Sequence, residues 1–526
     1  PPAAQAAAVA SPAPVQVAEG EETAEEPTES KPSGSGWGLG LGSVTIDGEV
    51  FYQIALRPEL TFGKIGIGLD LVGYMDAEGR FRKDEWDEPS DYLDKLYYLR
   101  YATEEDPFFL RIGAMPAVQY GFGGLMSNYS NVTEYPQVRR VGFEMGGRIK
   151  EAFHLKAFTA DLKEGGGLVG VRGTYRVSKA FPLTLGVNFV ADLDQYGGLR
   201  DKDGDGRPDV VDDFPDNKRF WLDTDGDLIP DNDSLELDLD GDNLTDVIYP
   251  NDPRFPGYTG SDIVYLDTDI VQDPQPFNKK DEKRSITGIS VDPSYPIISR
   301  EMLSLVAYME FSQLNYGDTL FAVKNDGTTI SSKSGTGIVG PGIRAQLFKF
   351  LSVSLEYRQT SSLYQPGFFN STYDFERAQF QPDTTATGEP STAVITKDQA
   401  MINNPYDLTG YFGSAAANIF NIVTFGASYQ NLTNASDTSA LESNSFTADL
   451  SVNTDFIPKL TEARAYYVRT NDDNPLDFAN PSSNTTWGYR VGYEVAAGVS
   501  MIYNMQVSYR GEEEVRLLSV ETAFRF

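Results

Sequence analysis

The feature that most constrains this chain is a period-two alternation of apolar and polar residues, sustained over segments of about ten residues. Leu351, Val353, Leu355 and Tyr357 alternate with Ser352, Ser354, Glu356 and Arg358. Phe446, Ala448, Leu450 and Val452 alternate with Ser445, Thr447, Asp449, Ser451 and Asn453. Tyr489, Val491, Tyr493 and Val495 alternate with Arg490, Gly492 and Glu494, and Met501, Tyr503, Met505, Val507 and Tyr509 with Ile502, Asn504, Gln506, Ser508 and Arg510. The last segment repeats the pattern, with Val520, Thr522, Phe524 and Phe526 against Ser519, Glu521, Ala523 and Arg525. Successive side chains of a strand point to opposite faces, so each segment carries one apolar and one polar face. Globular strands usually stop near about five or six residues. Roughly ten is the length that crosses a bilayer at a tilt.

One alternating strand fits a soluble sandwich as well as a membrane wall; the repetition favours the wall. The 526-residue chain has no apolar run long enough for a transmembrane helix. A spanning chain without one must close its sheet, because lipid cannot satisfy an open edge. The 49 Gly, 29 Tyr and 31 Phe suit an all-β fold. Short turns alternate with long polar connections. Short ones are expected at 57–59, 104–107, 150–152, 178–180 and 458–460. Long ones are expected at about 76–93, 114–138, 195–283, 364–407 and 470–486, the asymmetry of outer-membrane barrels. The expected fold is a transmembrane antiparallel β-barrel over 37–526, of about 16–18 strands. Residues 1–36 are rich in Ala, Pro and Glu and should form a disordered tail. They lack the basic and apolar regions of an intact signal peptide, so the chain is read as mature or nearly so.

The segment Val515-Arg516-Leu517-Leu518-Ser519-Val520-Glu521-Thr522-Ala523-Phe524-Arg525-Phe526 resembles the C-terminal signal of outer-membrane β-barrel proteins. The resemblance implies a place in the bacterial outer membrane. Its implied partners are outer-membrane lipid and the barrel assembly machinery, which reads the terminal Phe.

The net charge of −34 excludes nucleic acid as a partner, and much of that charge is concentrated in one stretch. Residues 201–246 hold sixteen Asp and Glu236 against Lys202, Arg207, Lys218 and Arg219, a net of −13. Three copies of one spacing lie there: Asp201, Asp203, Asp205 and Asp209; then Asp223, Asp225, Asp227 and Asp231; then Asp238, Asp240, Asp242 and Asp246. Gly204, Gly226 and Gly241 permit the tight turn, and Pro208 and Pro230 follow in the first two copies, with Thr245 in that place in the third. Alternating carboxylates on such a turn converge on one point, and Ca²⁺ accepts six to eight hard oxygen ligands at flexible geometry. The first copy also carries Gly206 and Asp212 where an EF-hand loop has Gly and Glu. The copies resemble thrombospondin type 3 repeats, which implies Ca²⁺ as a structural ligand of the surface loop.

No cysteine is present, and His154 is the only histidine. Thiolate and multi-His metal sites are therefore excluded, and one His without positioned partners is no triad. No catalytic or cofactor-binding residue is expected. The loop 114–138 is rich in Gly and aromatics; it folds into the lumen as a constriction, caps an outer opening, or forms an ordinary outer loop. Arg358, Arg464, Arg490, Arg510 and Arg525, with Glu356, Asp449, Glu494 and Glu521, should line the lumen. They either tune ion selectivity or brace the wall. The expected function is a porin-like channel for passive diffusion of small solutes, with a calcium-stabilised surface loop. The alternative is a barrel used as an anchor, displaying the calcium loop to an envelope protein partner or a second copy. An energised transporter needs more strands around a larger plug.

Overall fold

The computed structural model describes residues 36–525 apart from 47–48, 84–85, 87–88, 105, 133–137, 151, 165, 224–229, 231–246, 249–263, 266–276, 325–326, 385–389, 404, 435–441, 473, 483–484, 497–498 and 511–512. The expected tail up to residue 35 and the terminal Phe526 lie outside the described residues. The chain forms two compact units. One takes the chain up to Leu193, Ser285–Glu376 and Asp398 onward. The other takes Asp194–Arg284 and Arg377–Lys397.

The first unit is a closed ring of strands. β1 (Gly36–Ile46) and β2 (Glu49–Phe62) form the first hairpin. The next stave is broken at Asp70 into β3 (Ile65–Leu69) and β4 (Leu71–Met75), both paired with β2. β5 (Leu96–Tyr101) and β6 (Phe108–Gly113) follow. β7 (Val118–Tyr120) and β8 (Met126–Tyr129) leave the wall and pair with each other. The wall resumes with β9 (Gly142–Ile149), β10 (Phe153–Asp161), β11 (Gly166–Arg176) and β12 (Thr184–Asp192).

The short pair β13 (Val247–Ile248) and β14 (Val264–Tyr265) belongs to the second unit. β15 (Ile286–Arg300), β16 (Leu303–Val323), β17 (Thr329–Leu347) and β18 (Leu351–Thr360) return to the ring and hold its longest strands. β19 (Phe369–Asn370) lies parallel to β8. β20 (Ala378–Thr384) and β21 (Pro390–Thr396) pair within the second unit. The ring ends with β22 (Leu408–Ile419), β23 (Val423–Thr433), β24 (Ser443–Val452), β25 (Leu460–Asp472), β26 (Thr485–Ala496), β27 (Val499–Arg510) and β28 (Glu513–Arg525).

β28 pairs with β27 on one side and with β1 on the other, Gly38 facing Arg525 and Leu41 facing Thr522. That pairing closes the sheet, and no lipid-facing edge is left. Among the described residues the sheet holds 21 strands. Because β3 and β4 are halves of one stave, the ring has twenty staves, an even number as antiparallel closure demands. The count exceeds the 16–18 expected.

Strict antiparallel order sends every second connection to the same end. One end has tight turns, as at 63–64, 102–107, 150–152, 301–302, 348–350 and 420–422. The other end has the long connections. The turn expected at 57–59 is instead the middle of β2. Pro58 is tolerated there because β2 pairs with β4 only through Leu56 and with β3 only from Glu59. Arg57 and Pro58 thus face the break in the neighbouring stave, where no ladder bond is lost on that side.

The registers put one parity of β12, β15 and β18 outward over most of each strand. Val187, Phe189, Ile289, Val291, Val353 and Leu355 are accordingly exposed. Covering such a side chain with an apolar medium is worth about 1.5–3 kcal/mol. Exposed Phe62, Phe108, Phe181, Phe348 and Phe420 lie at or next to the tight-turn end, where a barrel carries an aromatic girdle. Among the described residues no helix is long and apolar enough to cross a membrane; this wall is built from strands.

Candidate functional site

The inner face of the ring is not uniform. Over β10 to β17 it is covered by an insert made of two connections, 114–132 and 361–376. Met115, Tyr120, Leu125, Met126 and Tyr129 from the first are 0% exposed, as are Phe368, Phe369 and Tyr373 from the second. They pack on inward residues of the wall, among them Phe158, Leu168, Val190, Ile286 and Leu314. The wall makes room with glycines. A Cβ at Gly170 would meet Phe158 and Tyr120, and one at Gly288 would meet Leu125. Of the readings of 114–138, the described part fits the inward one.

The insert is tied to the wall by one side chain. Glu310 of β16 is 0% exposed. Its carboxylate accepts from the backbone N–H of Phe122 at 2.7 Å, Gly124 at 2.9 Å and Leu125 at 3.3 Å. A charged acceptor makes each such bond worth about 1.5–3 kcal/mol, enough to offset much of the burial cost of the charge. Phe122 stacks on Tyr308 with ring centroids 4.1 Å apart, and the Arg344 guanidinium lies over both rings. The second connection holds the other side of the same turn. The Tyr364 hydroxyl donates to Gly124 O at 2.7 Å, and Gly367 N–H to the same oxygen at 2.8 Å. Phe369 N–H reaches Leu125 O at 3.2 Å, which continues into the parallel β8–β19 pair.

The remaining inner wall is polar and accessible. Arg464 faces Arg490 in register across β25 and β26 and is exposed. Arg490 pairs with Glu462 at 2.8 Å, both 28% exposed. Arg57 is 42% exposed and pairs with Asp70 at 2.9 Å, while Arg100 faces Arg111 in register across β5 and β6. Arg358 and Glu356 differ from these. They are buried, 2.5 Å apart, with Arg358 also donating to Gln430 Oε1 at 2.6 Å and lying over Phe412. Bracing holds for that pair, whereas Arg464 and Arg490 face accessible space. Asp449 lies against Gly426 on the inner face, and Glu494 is half-buried. The side chains of Arg510, Glu521 and Arg525 lie outside the described residues. His154 is the second residue of β10, on the inner face.

The second unit holds the first aspartate copy. One carboxylate oxygen from each of Asp201, Asp203 and Asp205 lies within 4.8 Å of the others. Gly204 at φ +73° and Gly206 at φ +108° make the turn that brings them together. Asp201 accepts from Gly204 N–H at 2.8 Å and Gly206 N–H at 3.0 Å. Asp209 is engaged by Lys202 N–H at 2.7 Å and by Arg200 at 2.9 Å. Asp212 is 6% exposed, and its Oδ2, like Asp203 Oδ2, is buried without a hydrogen-bond partner. Burial, followed by repulsion from Asp205, Asp203 and Asp209, pushes the Asp212 carboxyl up to about 6. Burial likewise raises Asp203. Lys279 Nζ stands 3.4 Å from Asp201, and Lys280 Nζ donates to Gly204 O at 2.6 Å, so two ammonium groups already meet this turn. Asp223 of the second copy is described, and its N–H donates to Asp213 at 3.0 Å. Asp225, Asp227, Asp231, Asp238, Asp240, Asp242 and Asp246 lie outside the described residues.

Sequence reading missed Glu310 as a functional residue. Its parity in Tyr308-Met309-Glu310-Phe311 marks it as inward, but its partners are backbone amides nearly two hundred residues away. Only folding brings them together. Asp70 was missed for the same reason; it gathers Arg57 and Arg139, each at 2.9 Å.

A closed antiparallel ring with an apolar outer row, a polar inner face and long connections at one end is a transmembrane β-barrel of the bacterial outer-membrane type. No family model and no curated protein matches the chain. Among solved structures it is similar to the outer membrane protein OprD from Pseudomonas aeruginosa, at 9% identity and TM-score 0.30, covering 95% of this chain and 96% of that one. It is also similar to the FrpB iron transporter from Neisseria meningitidis (F3-3 variant), at 10% identity and TM-score 0.34, covering 96% and 83%. Pseudomonas aeruginosa OccK11 (OpdR) gives 9% and 0.28, covering 94% and 95%. At scores this low the likeness adds nothing to what the closed ladder already shows.

Proposed function

We propose that this protein is a porin-like channel of the bacterial outer membrane, passing small solutes by passive diffusion beside a loop insert that narrows its lumen. One observation carries the reading. Among the described residues the insert covers the wall from β10 to β17, while charged residues such as Arg464, Arg490, Glu462 and Arg57 stay accessible elsewhere on the inner face. A polar wall next to a one-sided constriction is what a diffusion channel needs. Purified folded protein in a planar bilayer should give stepwise conductance; folded protein that gives none overturns the reading.

The calcium reading of the surface loop rests on the first aspartate copy. Three clustered carboxylates and two buried carboxylate oxygens without hydrogen-bond partners are a donor set that a hard divalent cation would complete. Asp201, Asp203, Asp205 and Asp212 are the residues we assign to hold it, with Asp209 already turned toward Lys202 and Arg200. The ion would supply positive charge where the chain supplies too little. Addition of EGTA should speed proteolysis within 201–246 by about tenfold or more, since local opening then loses the ion's binding free energy. An unchanged rate counts against calcium.

The alternative, a barrel anchor displaying this loop to an envelope partner, draws support from the second compact unit formed by 194–284 and 377–397. The same bilayer measurement separates it from the channel.

A further inference from the structure

We propose that Glu310 is the positioning residue that pins the insert to the wall, and that it thereby sets the width of the passage and the size limit of what passes. The inference rests on the channel reading.

Glu310 is a carboxylate placed where a strand of this kind has no need of one. Its neighbours on the inner face of β16 are Tyr308, Ser312 and Leu314, and it is wholly buried. Among the described residues no cation is paired with it. Its hydrogen bonds run to the Phe122, Gly124 and Leu125 amides and to Ser290. The wall is irregular at this point: β15 pairs with Phe311 and Tyr308 on either side of Glu310, and the β16–β17 register shifts between Tyr308 and Glu310, so the carboxylate stands where the ladder itself is loosened. The three amide bonds join this point of the wall to the loop and seat it there.

The loop is shaped for this seat. Gly121 takes φ +66°, and a Cβ there would stand 2.8 Å from the Glu310 carboxylate; at Gly124 the distance would be 2.9 Å. The turn can approach the carboxylate only because both positions lack a side chain. Tyr364 then clasps the far side of the turn through Gly124 O, and its hydroxyl also meets Ser312 of the wall. The two connections are therefore held as one body, with Glu310 on the amide side and Tyr364 on the carbonyl side. Loss of either should loosen the insert while the ring stays closed.

The test uses the full-length protein in bilayers and compares wild type with Glu310→Gln. Two quantities are read: single-channel conductance, and the rate at which a membrane-impermeant maleimide labels Ser127→Cys, the chain having no native cysteine. Glu310→Gln should raise mean conductance by about twofold or more and speed labelling by about tenfold or more. If wild type conducts and the variant changes neither quantity, the positioning role is overturned. If labelling speeds up but neither protein conducts, the pinning stands and the channel reading falls. Should Glu310→Gln fail to assemble, Tyr364→Phe removes one hydroxyl, keeps the ring, and should move both quantities the same way by a smaller factor. No movement of either would likewise overturn the proposal.

Discussion

Arg358 and Glu356 lie two residues apart on one face of β18, buried and bonded, with the Tyr308 hydroxyl also donating to Glu356 at 2.5 Å. Removing one partner strands the other charge away from water. Arg358→Ala should therefore cost about 3–5 kcal/mol, while replacing both, Arg358→Met with Glu356→Gln, should recover most of it. The midpoint of urea unfolding in detergent measures both. At Asp212 the effect should change sign with the ligand. Without calcium, Asp212→Asn relieves a buried carboxylate crowded by three others and should raise the stability of the loop. With calcium it removes a ligand and should weaken binding by about tenfold or more. Calorimetric titration and limited proteolysis read the two arms, and a variant that binds as tightly as wild type removes Asp212 from the site.

At the scale of the element, the broken stave is more informative than the regular ones. Asp70 interrupts β3 and β4, and its side chain gathers Arg57 from β2 and Arg139 from the returning end of the first inward connection. Arg139 also donates to the backbone oxygens of Asp70 and Asp94. Asp70→Ala leaves two guanidinium groups short of a carboxylate in a part-buried place and should destabilise the barrel by about 2–4 kcal/mol. A shift in the heat-modifiable gel transition checks this, and an unshifted transition means that the break is held by the backbone alone. The long strands were legible because their period-two pattern runs for ten residues or more. β5 and β6 were legible by their boundary, because the short turn expected at 104–107 falls between them. Pro58 was misread as a turn because proline reports a missing donor, and only the neighbouring stave shows that no donor was wanted there.

At the scale of the molecule, alternation also carries the ring closure and the placing of long connections at one end. Even the terminal strand, met first as a signature, proves to be the seam that joins β27 to β1. What lies inside the ring was less legible. Gly170 and Gly288 keep the inward parity of their strands but carry no side chain, and their purpose appears only once Tyr120 and Leu125 fill the space above them. The sequence alone determined a lipid-facing strand wall and an aspartate loop with the spacing of a cation site, because both follow from local periods that need no distant partner. The tertiary structure alone decided that two connections turn inward, that Glu310 and Tyr364 hold them, and that part of the inner wall stays accessible. Those outcomes depend on residues far apart in the chain meeting across a closed sheet, and no local pattern encodes such a meeting.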